Sequence, residues 1–220
     1  MSSIAQGSNA ASPTPPATSR PRLYLIRHGE TDWNAEGRLL SRTDMPLSAT
    51  GEQQARDLAQ QLAGMSWARA YASPLTRARR TAEILLGTRL DSPALTLDDR
   101  LVELDFGPYE GWTEDQLVAD PVTAKWRRDG ADIPGIETEA SVEARARSFL
   151  GDLTDPSGMT LVVGHGRMLR ILLSTVVLGM PPAVSHRMRM RNCRPAIVEP
   201  GAEALLLGFN VGQPADEALS

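Results

Sequence analysis

The sequence predicts an α/β fold with a mostly parallel central sheet, and three observations carry that prediction. Short apolar runs of strand length alternate along the chain with stretches of helical periodicity. Two of those runs, Leu23–Ile26 and Met159–Val163, stop at a glycine beside a histidine, as strands do when they turn into helices. The chain has 220 residues, of which 41% are hydrophobic and 23% charged. That is enough to build a sizeable core without disulfides.

The elements follow in order. Residues 1–20 are rich in Ser, Pro, Ala and Thr and bury too little apolar surface to offset ordering, so they read as a disordered tail. They lack the apolar centre of a signal peptide. Residues 21–210 read as a single domain, with 211–220 a C-terminal tail. Leu23-Tyr24-Leu25-Ile26 is a buried strand that breaks at Gly29. Thr50-Gly51-Glu52-Gln53 has the form of a capping box, with Ala55, Leu58, Ala59 and Leu62 at helical spacing before Gly64. Arg69–Ala72 is a second strand. Ser73-Pro74 then offers an N-cap with proline at the first helical position, for a helix running to Gly87.

Leu101–Phe106 alternates as an extended segment and ends in a Gly/Pro turn. Val142–Leu150 is helical. Met159–Val163 is a strand that gives way to a helix at Gly164-His165-Gly166. Ala196–Glu199 and Leu205–Phe209 flank Pro200-Gly201 as a terminal hairpin.

Composition excludes several classes. Lys+Arg 23 against Asp+Glu 27 gives a net charge of −4, which argues against a general nucleic-acid binder. The apolar stretch Met168–Met180 contains Arg170 and Gly179 and is too short to span a bilayer. The lone cysteine, Cys193, allows no intramolecular disulfide and no cysteine-based metal cage, and reads as a small packing residue. His186-Arg187-Met188-Arg189-Met190-Arg191 alternates and reads as a strand or edge with solvated arginines.

The residues that can carry chemistry gather where strands end. In open α/β sheets that edge is where ligands bind. His28 follows the first strand, and His165 follows a later one. Arg27 adjoins His28, and Arg77 lies one turn into the helix after the second strand. Glu103 closes another extended segment. Arginine presents the planar fork that suits a phosphoryl group. A zinc site from His28, His165 and Glu103 would stand beside two arginines that repel a cation, so the pattern suits an anion better.

Leu25-Ile26-Arg27-His28-Gly29-Glu30-Thr31, with Trp33-Asn34 and Gly37-Arg38 behind it, resembles the signature of the histidine phosphatase superfamily, the phosphoglycerate-mutase-like family. Four further blocks match in order: Asp44-Met45-Pro46-Leu47 with Gly51; Ser73-Pro74-Leu75 with Arg77-Ala78; Glu103 with Gly107 and Glu110-Gly111; and Val163-Gly164-His165-Gly166 with Leu169-Arg170. The match runs from about Leu23 to Asn210.

The resemblance implies a sheet flanked by helices on both faces, with a small helical lid insertion at about 112–137. It implies phosphomonoester hydrolysis through a phosphohistidine on a small phosphorylated metabolite, in the cytoplasm, with no cofactor and no metal. It implies no nucleic-acid or membrane partner and specifies no oligomeric state. His28 would be the nucleophile. Arg27, Arg77 and His165 would hold the phosphoryl oxygens, with Asn34, Thr31 and the Gly166 amide adding contacts. Glu103 would protonate the leaving oxygen and then activate water. Asp105 and Glu110 compete for that role, and the family position favours Glu103.

A cofactor-dependent phosphoglycerate mutase is the alternative activity. The compact Glu110–Val142 stretch, with Ile133-Pro134-Gly135-Ile136-Glu137, is phosphatase-like, whereas Trp126-Arg127-Arg128 resembles a mutase cap. A non-catalytic phospholigand-binding module would have lost one or more of His28, Arg27, Arg77, Glu103 and His165, and all five are present. Leu39-Leu40-Ser41-Arg42 departs from the family, which often has a polar residue and glycine there. The loop is bulkier, and Arg42 is a candidate substrate contact or an exposed surface arginine.

Overall fold

A computed structural model describes residues 21–87, 92–129, 133–153 and 158–212. Six strands form one sheet: β1 (Arg22–Arg27), β2 (Trp67–Ala72), β3 (Leu95–Leu97), β4 (Met159–Gly164), β5 (Ala196–Glu199) and β6 (Leu205–Gly208). Their spatial order is β3-β2-β4-β1-β5-β6. The pairs β1/β4, β2/β4 and β2/β3 are parallel, and the hairpin β5/β6 joins antiparallel to β1. The expected tail 1–20 lies outside the described residues, as does all but Val211-Gly212 of the expected tail 211–220.

Helices cover both faces because β1 and β4 are apolar on both. Leu23 and Leu25 face one way with Val162, and meet Val142, Ala146 and Phe149 of helix α6 (Glu139–Gly151) and Met168 and Leu169 of α7 (Gly166–Ile171). Tyr24 and Ile26 face the other way with Leu161 and Val163. They meet Ala55 and Leu58 of α2 (Ala49–Gln61) and Ala78, Ala82 and Leu85 of α3 (Thr76–Leu86). This is the period-two alternation of a strand buried on both sides. The apolar stretch from Met168 continues α7 as a π-helical turn, Leu172–Val177, packed in the first of these cores. No helix among the described residues is long and apolar enough to cross a membrane. Short helices α1 (Asp32–Ala35), α4 (Glu114–Ala119), α5 (Pro121–Asp129) and α8 (Ala183–Arg187) complete the set, with α4 and α5 in the stretch expected to form the lid.

Four local expectations are corrected. Helix α2 is capped by Ser48, whose Oγ accepts the Gly51 amide, and Thr50 lies inside the helix. Helix α3 starts at Thr76 rather than at Pro74, because Asp44 reaches across to accept both the Thr76 amide and its hydroxyl at 2.7 Å. That frees Ser73. The His186–Arg191 stretch is the end of α8 followed by an irregular segment, not a strand.

The fourth is Leu101–Phe106, which pairs with no strand. It follows the 3₁₀ turn Asp99–Leu101, and the short edge strand β3 precedes that turn. It is buried throughout except at half-buried Asp105, and its backbone groups are satisfied by side chains. Arg145 donates to the carbonyl of Val102, Ser41 Oγ donates to that of Leu104, and Glu137 accepts the Asp105 amide.

Candidate active site

The site lies where β1, β2 and β4 end. After β1 the chain turns at Arg27-His28-Gly29, and that turn is pressed against the start of α2. A Cβ at Gly51 would overlap the carbonyl oxygen of Glu30, so the approach requires glycine. The Gly29 amide donates to Thr81 Oγ1 of α3. Asn192 Nδ2 donates to the His28 carbonyl at 2.7 Å, and the Cys193 amide donates to that of Arg27 at 2.9 Å. The turn is therefore held from three directions.

His28 is buried, and its Nδ1 lies 2.7 Å from the Gly29 carbonyl oxygen. A carbonyl only accepts, so Nδ1 carries the proton and Nε2 keeps a free lone pair. Burial, then the charges of Arg27 and Arg77, hold its pKa well below the ordinary histidine value. The ring is neutral at neutral pH, which is the form that can attack phosphorus.

His165 caps the end of β4 and is fully buried, its ring centroid 5.1 Å from that of His28. Burial and Arg77 hold its pKa well down too. Its Nε2 lies 2.8 Å from Ser73 Oγ at the end of β2. Arg77 is also fully buried, and burial brings its pKa down to about 10, so it stays cationic at neutral pH. Its fork is fixed by the carbonyls of Ser41 and Thr43, at 2.7 and 2.9 Å. This is what the bulky Leu39–Arg42 loop does: it presents backbone oxygens to Arg77. Arg27 donates to the Met190 carbonyl.

Buried His165 Nδ1, Arg27 Nε and Arg77 Nε have no hydrogen-bond partner among the described residues. An unmet buried donor costs about 1–3 kcal/mol. Arg167 Nε is a fourth such atom, and Arg27 and Arg77 both lie close enough to His28 and His165 to act on them electrostatically. Among the described residues, no cluster of three or more His, Cys, Asp or Glu side chains is placed to hold a metal ion.

Glu103 is buried, and its carboxylate accepts the amides of Arg167 and Met168 at 3.0 and 2.9 Å, the first-turn donors of α7. It stands at the helix that His165 opens, although it does not come from a strand as expected. Asp105 accepts the Gly107 amide in a local turn. Glu110 accepts the amides of Ser41 and Thr43 and so pins a loop. All three carboxylates accept backbone amides, Glu103 that of Leu104 as well, so what sets Glu103 apart is its place at the helix that His165 opens.

The remaining expected residues are less direct. Thr31 is buried with its Oγ1 accepting the Asn34 amide as the N-cap of α1. Asn34 is half-buried, with Oδ1 3.4 Å from Asn192 Nδ2. Gly166 is the first residue of α7, packed beside Arg27. Arg42 is exposed and reaches Glu137 at 3.4 Å. Ser73 and Asn192 were missed. Ser73 looks like a helix cap in sequence, and Asn192 sits in an irregular stretch with no periodicity. Ser73 directly follows β2, which is its one signal, whereas Asn192 follows no strand.

Comparison with known proteins agrees with this geometry. The model of the histidine phosphatase superfamily (branch 1) matches residues 23–208. A protein of Salmonella choleraesuis named "Probable phosphoglycerate mutase GpmB" is 39% identical over 181 residues, covering 78% of this chain and 81% of the relative. A putative alpha-ribazole-5'-P phosphatase of Escherichia coli superposes with a TM-score of 0.78 at 28% identity, covering 88% of this chain and 97% of that one. A phosphoserine phosphatase of Entamoeba histolytica, solved with 3-phosphoglyceric acid, superposes with a TM-score of 0.75 at 31% identity, covering 87% and 98%. Since the family model spans nearly the whole sheet, from the first residues of β1 to the end of β6, this chain belongs to the histidine phosphatase superfamily (branch 1).

Proposed function

We propose that the protein is a metal-independent phosphomonoester hydrolase that acts through a phosphohistidine on a small phosphorylated metabolite. The observation that carries this reading is a neutral His28 with a free Nε2 beside three buried, unpartnered donors of Arg27, Arg77 and His165. His28 Nε2 forms the bond to phosphorus as the ester P–O bond breaks. Arg27, Arg77 and His165 hold the three equatorial oxygens, where charge gathers in the transition state.

Glu103 gives its proton to the leaving alkoxide. It then takes a proton from the water that attacks phospho-His28, which releases inorganic phosphate and restores both groups. In the reading we propose, Ser73 Oγ, which accepts the Leu75 amide at 3.4 Å, donates its hydroxyl proton to His165 Nε2. The ring proton then sits on Nδ1 and points to the phosphoryl oxygen. The stretch 112–137 forms the lid that reads the non-phosphate end of the substrate.

Phosphoglycerate mutase activity is the second reading, favoured by the identity to relatives named as probable phosphoglycerate mutases. A phosphatase screen over a metabolite panel in excess EDTA, with mutase activity assayed in parallel, tests both. Release of phosphate under EDTA supports the hydrolase. Phosphoglycerate interconversion without net phosphate release overturns it in favour of the mutase. Loss of activity under EDTA with recovery on added zinc or magnesium overturns metal independence. No turnover on any ester, with phosphate still bound, leaves a binding module.

A further inference from the structure

The segment that carries Glu103 is anchored in an unusual way. It has no strand beside it, so nothing in the sheet fixes its register. Side chains do so instead: Ser41 holds the Leu104 carbonyl and the Phe106 amide, and two further side chains outside the proposed chemistry hold the backbone on either side of Glu103. Arg145 of α6 donates through Nη1 to the carbonyls of Arg100 and Val102, at 2.6 and 2.7 Å, just before Glu103. Glu137 accepts the Asp105 amide through Oε2 at 3.1 Å, and its own amide donates to the Asp105 carbonyl at 2.8 Å, just after Glu103.

Arg145 and Glu137 also bind each other in a two-pronged pair, Nε to Oε1 at 3.1 Å and Nη2 to Oε2 at 3.2 Å. Both side chains are about seven-eighths buried, at 15% and 13% exposed. Burial opposes the charge of Glu137, but Arg145 prevails and holds its carboxyl below the usual range. Ser141 adds a further donor at 2.9 Å. One ion pair therefore grips the backbone on both sides of Glu103.

Glu137 is also the last residue of the expected lid stretch. The turn before it packs backbone to backbone on the Phe106-Gly107 turn. Gly107 has φ +50, and a Cβ there would overlap the Gly135 carbonyl. The segment that carries Glu103 and the turn that leads into Glu137 are thus packed directly on each other.

We infer that Glu137 and Arg145 are positioning residues, whose clamp on residues 100–105 sets the aim of Glu103. This rests on the reading of Glu103 as the general acid. A misplaced acid matters when the leaving oxygen needs protonation and matters little when it does not. A shift of about 1 Å at a reacting group can cost about 10²-fold.

The test uses the full chain and two esters, phenyl phosphate with a poor leaving group and 4-nitrophenyl phosphate with a good one. Glu137→Gln should lower kcat/KM, which reports phosphoryl transfer to His28 and not the later hydrolysis of phospho-His28, by about 10- to 100-fold for phenyl phosphate and far less for 4-nitrophenyl phosphate. Arg145→Lys keeps the charge but loses the fork, and should show the same pattern. Introduced into Glu103→Gln, either substitution should add no further loss, because both act through the same carboxylate.

Equal losses on the two esters, or losses that multiply in the double variants, overturn the inference and leave the pair a purely structural contact. If Glu103→Gln alone shows no dependence on the leaving group, the acid assignment itself falls and this inference with it. Unfolding midpoints of all variants, measured alongside, ensure that activity is compared between folded proteins.

Discussion

Ser73 Oγ stands 2.8 Å from His165 Nε2, and both residues are fully buried. The contact joins the end of β2 to the end of β4 and leaves His165 Nδ1 as the buried atom without a partner. If Ser73 sets the tautomer, Ser73→Ala should slow turnover of an aryl phosphate by about tenfold, the worth of one buried neutral hydrogen bond. Steady-state kinetics with a check of the fold by circular dichroism measures this. Unaltered kcat in the folded variant would remove Ser73 from the mechanism.

His28 is the proposed nucleophile, and its neutral ring is the reason. His28→Ala should abolish turnover and remove the acid-labile phosphoenzyme seen on rapid quenching with labelled substrate. Normal turnover in that variant would end the phosphohistidine mechanism.

Glu103 and Asp105 lie two residues apart, but the structure gives them different company. Glu103 meets the first turn of α7, whereas Asp105 is engaged with the Gly107 amide. Glu103→Gln should slow turnover by about 10²–10⁴-fold, less for a good leaving group. Asp105→Asn should change it far less. The reverse result, read from kcat/KM over a series of aryl phosphates, would move the acid role to Asp105.

Stability should fall in mildly acidic solution. Folded His28 and His165 resist protonation, because burial and the neighbouring arginines depress both pKa values well below 6.5. The unfolded chain protonates them near 6.5, so below that pH the unfolded state binds more protons. The stability is whole above pH 6.5 and is lost as pH falls toward the folded values. Each histidine contributes a slope of about 1.4 kcal/mol per pH unit in that window. His186, pushed down to about 4 by burial beside Arg167 and Arg170, adds to the same fall. Urea unfolding between pH 7.5 and 5 should show the decline, and His165→Asn should flatten it. A pH-independent midpoint in that range would contradict the neutral, buried histidines.

Much of this was legible in the sequence because it is local. Leu23–Ile26 and Met159–Val163 are apolar on both faces, which demands helices on both sides of a parallel sheet. Arg27, His28 and His165 sit at abrupt glycine turns, so their place at a strand end follows from chain geometry alone. Arg77 and Glu103 stood out in the same way at the ends of their segments, and the family signature gave them their expected roles.

What only tertiary structure decided involves groups far apart in the chain. Leu101–Phe106 alternates like a strand, yet strands need a neighbour. Here the backbone partners are the side chains of Ser41, Glu137 and Arg145, which lie 63, 32 and 43 residues away. Ser73 has the composition of a helix cap, but Asp44, from an earlier loop, does the capping and releases Ser73 to His165. Asn192 gives no periodic signal and still holds the His28 carbonyl from 164 positions away. Periodicity reports which face of a segment is buried. It does not report which polar group, brought in by another segment, satisfies a backbone amide or orients a ring.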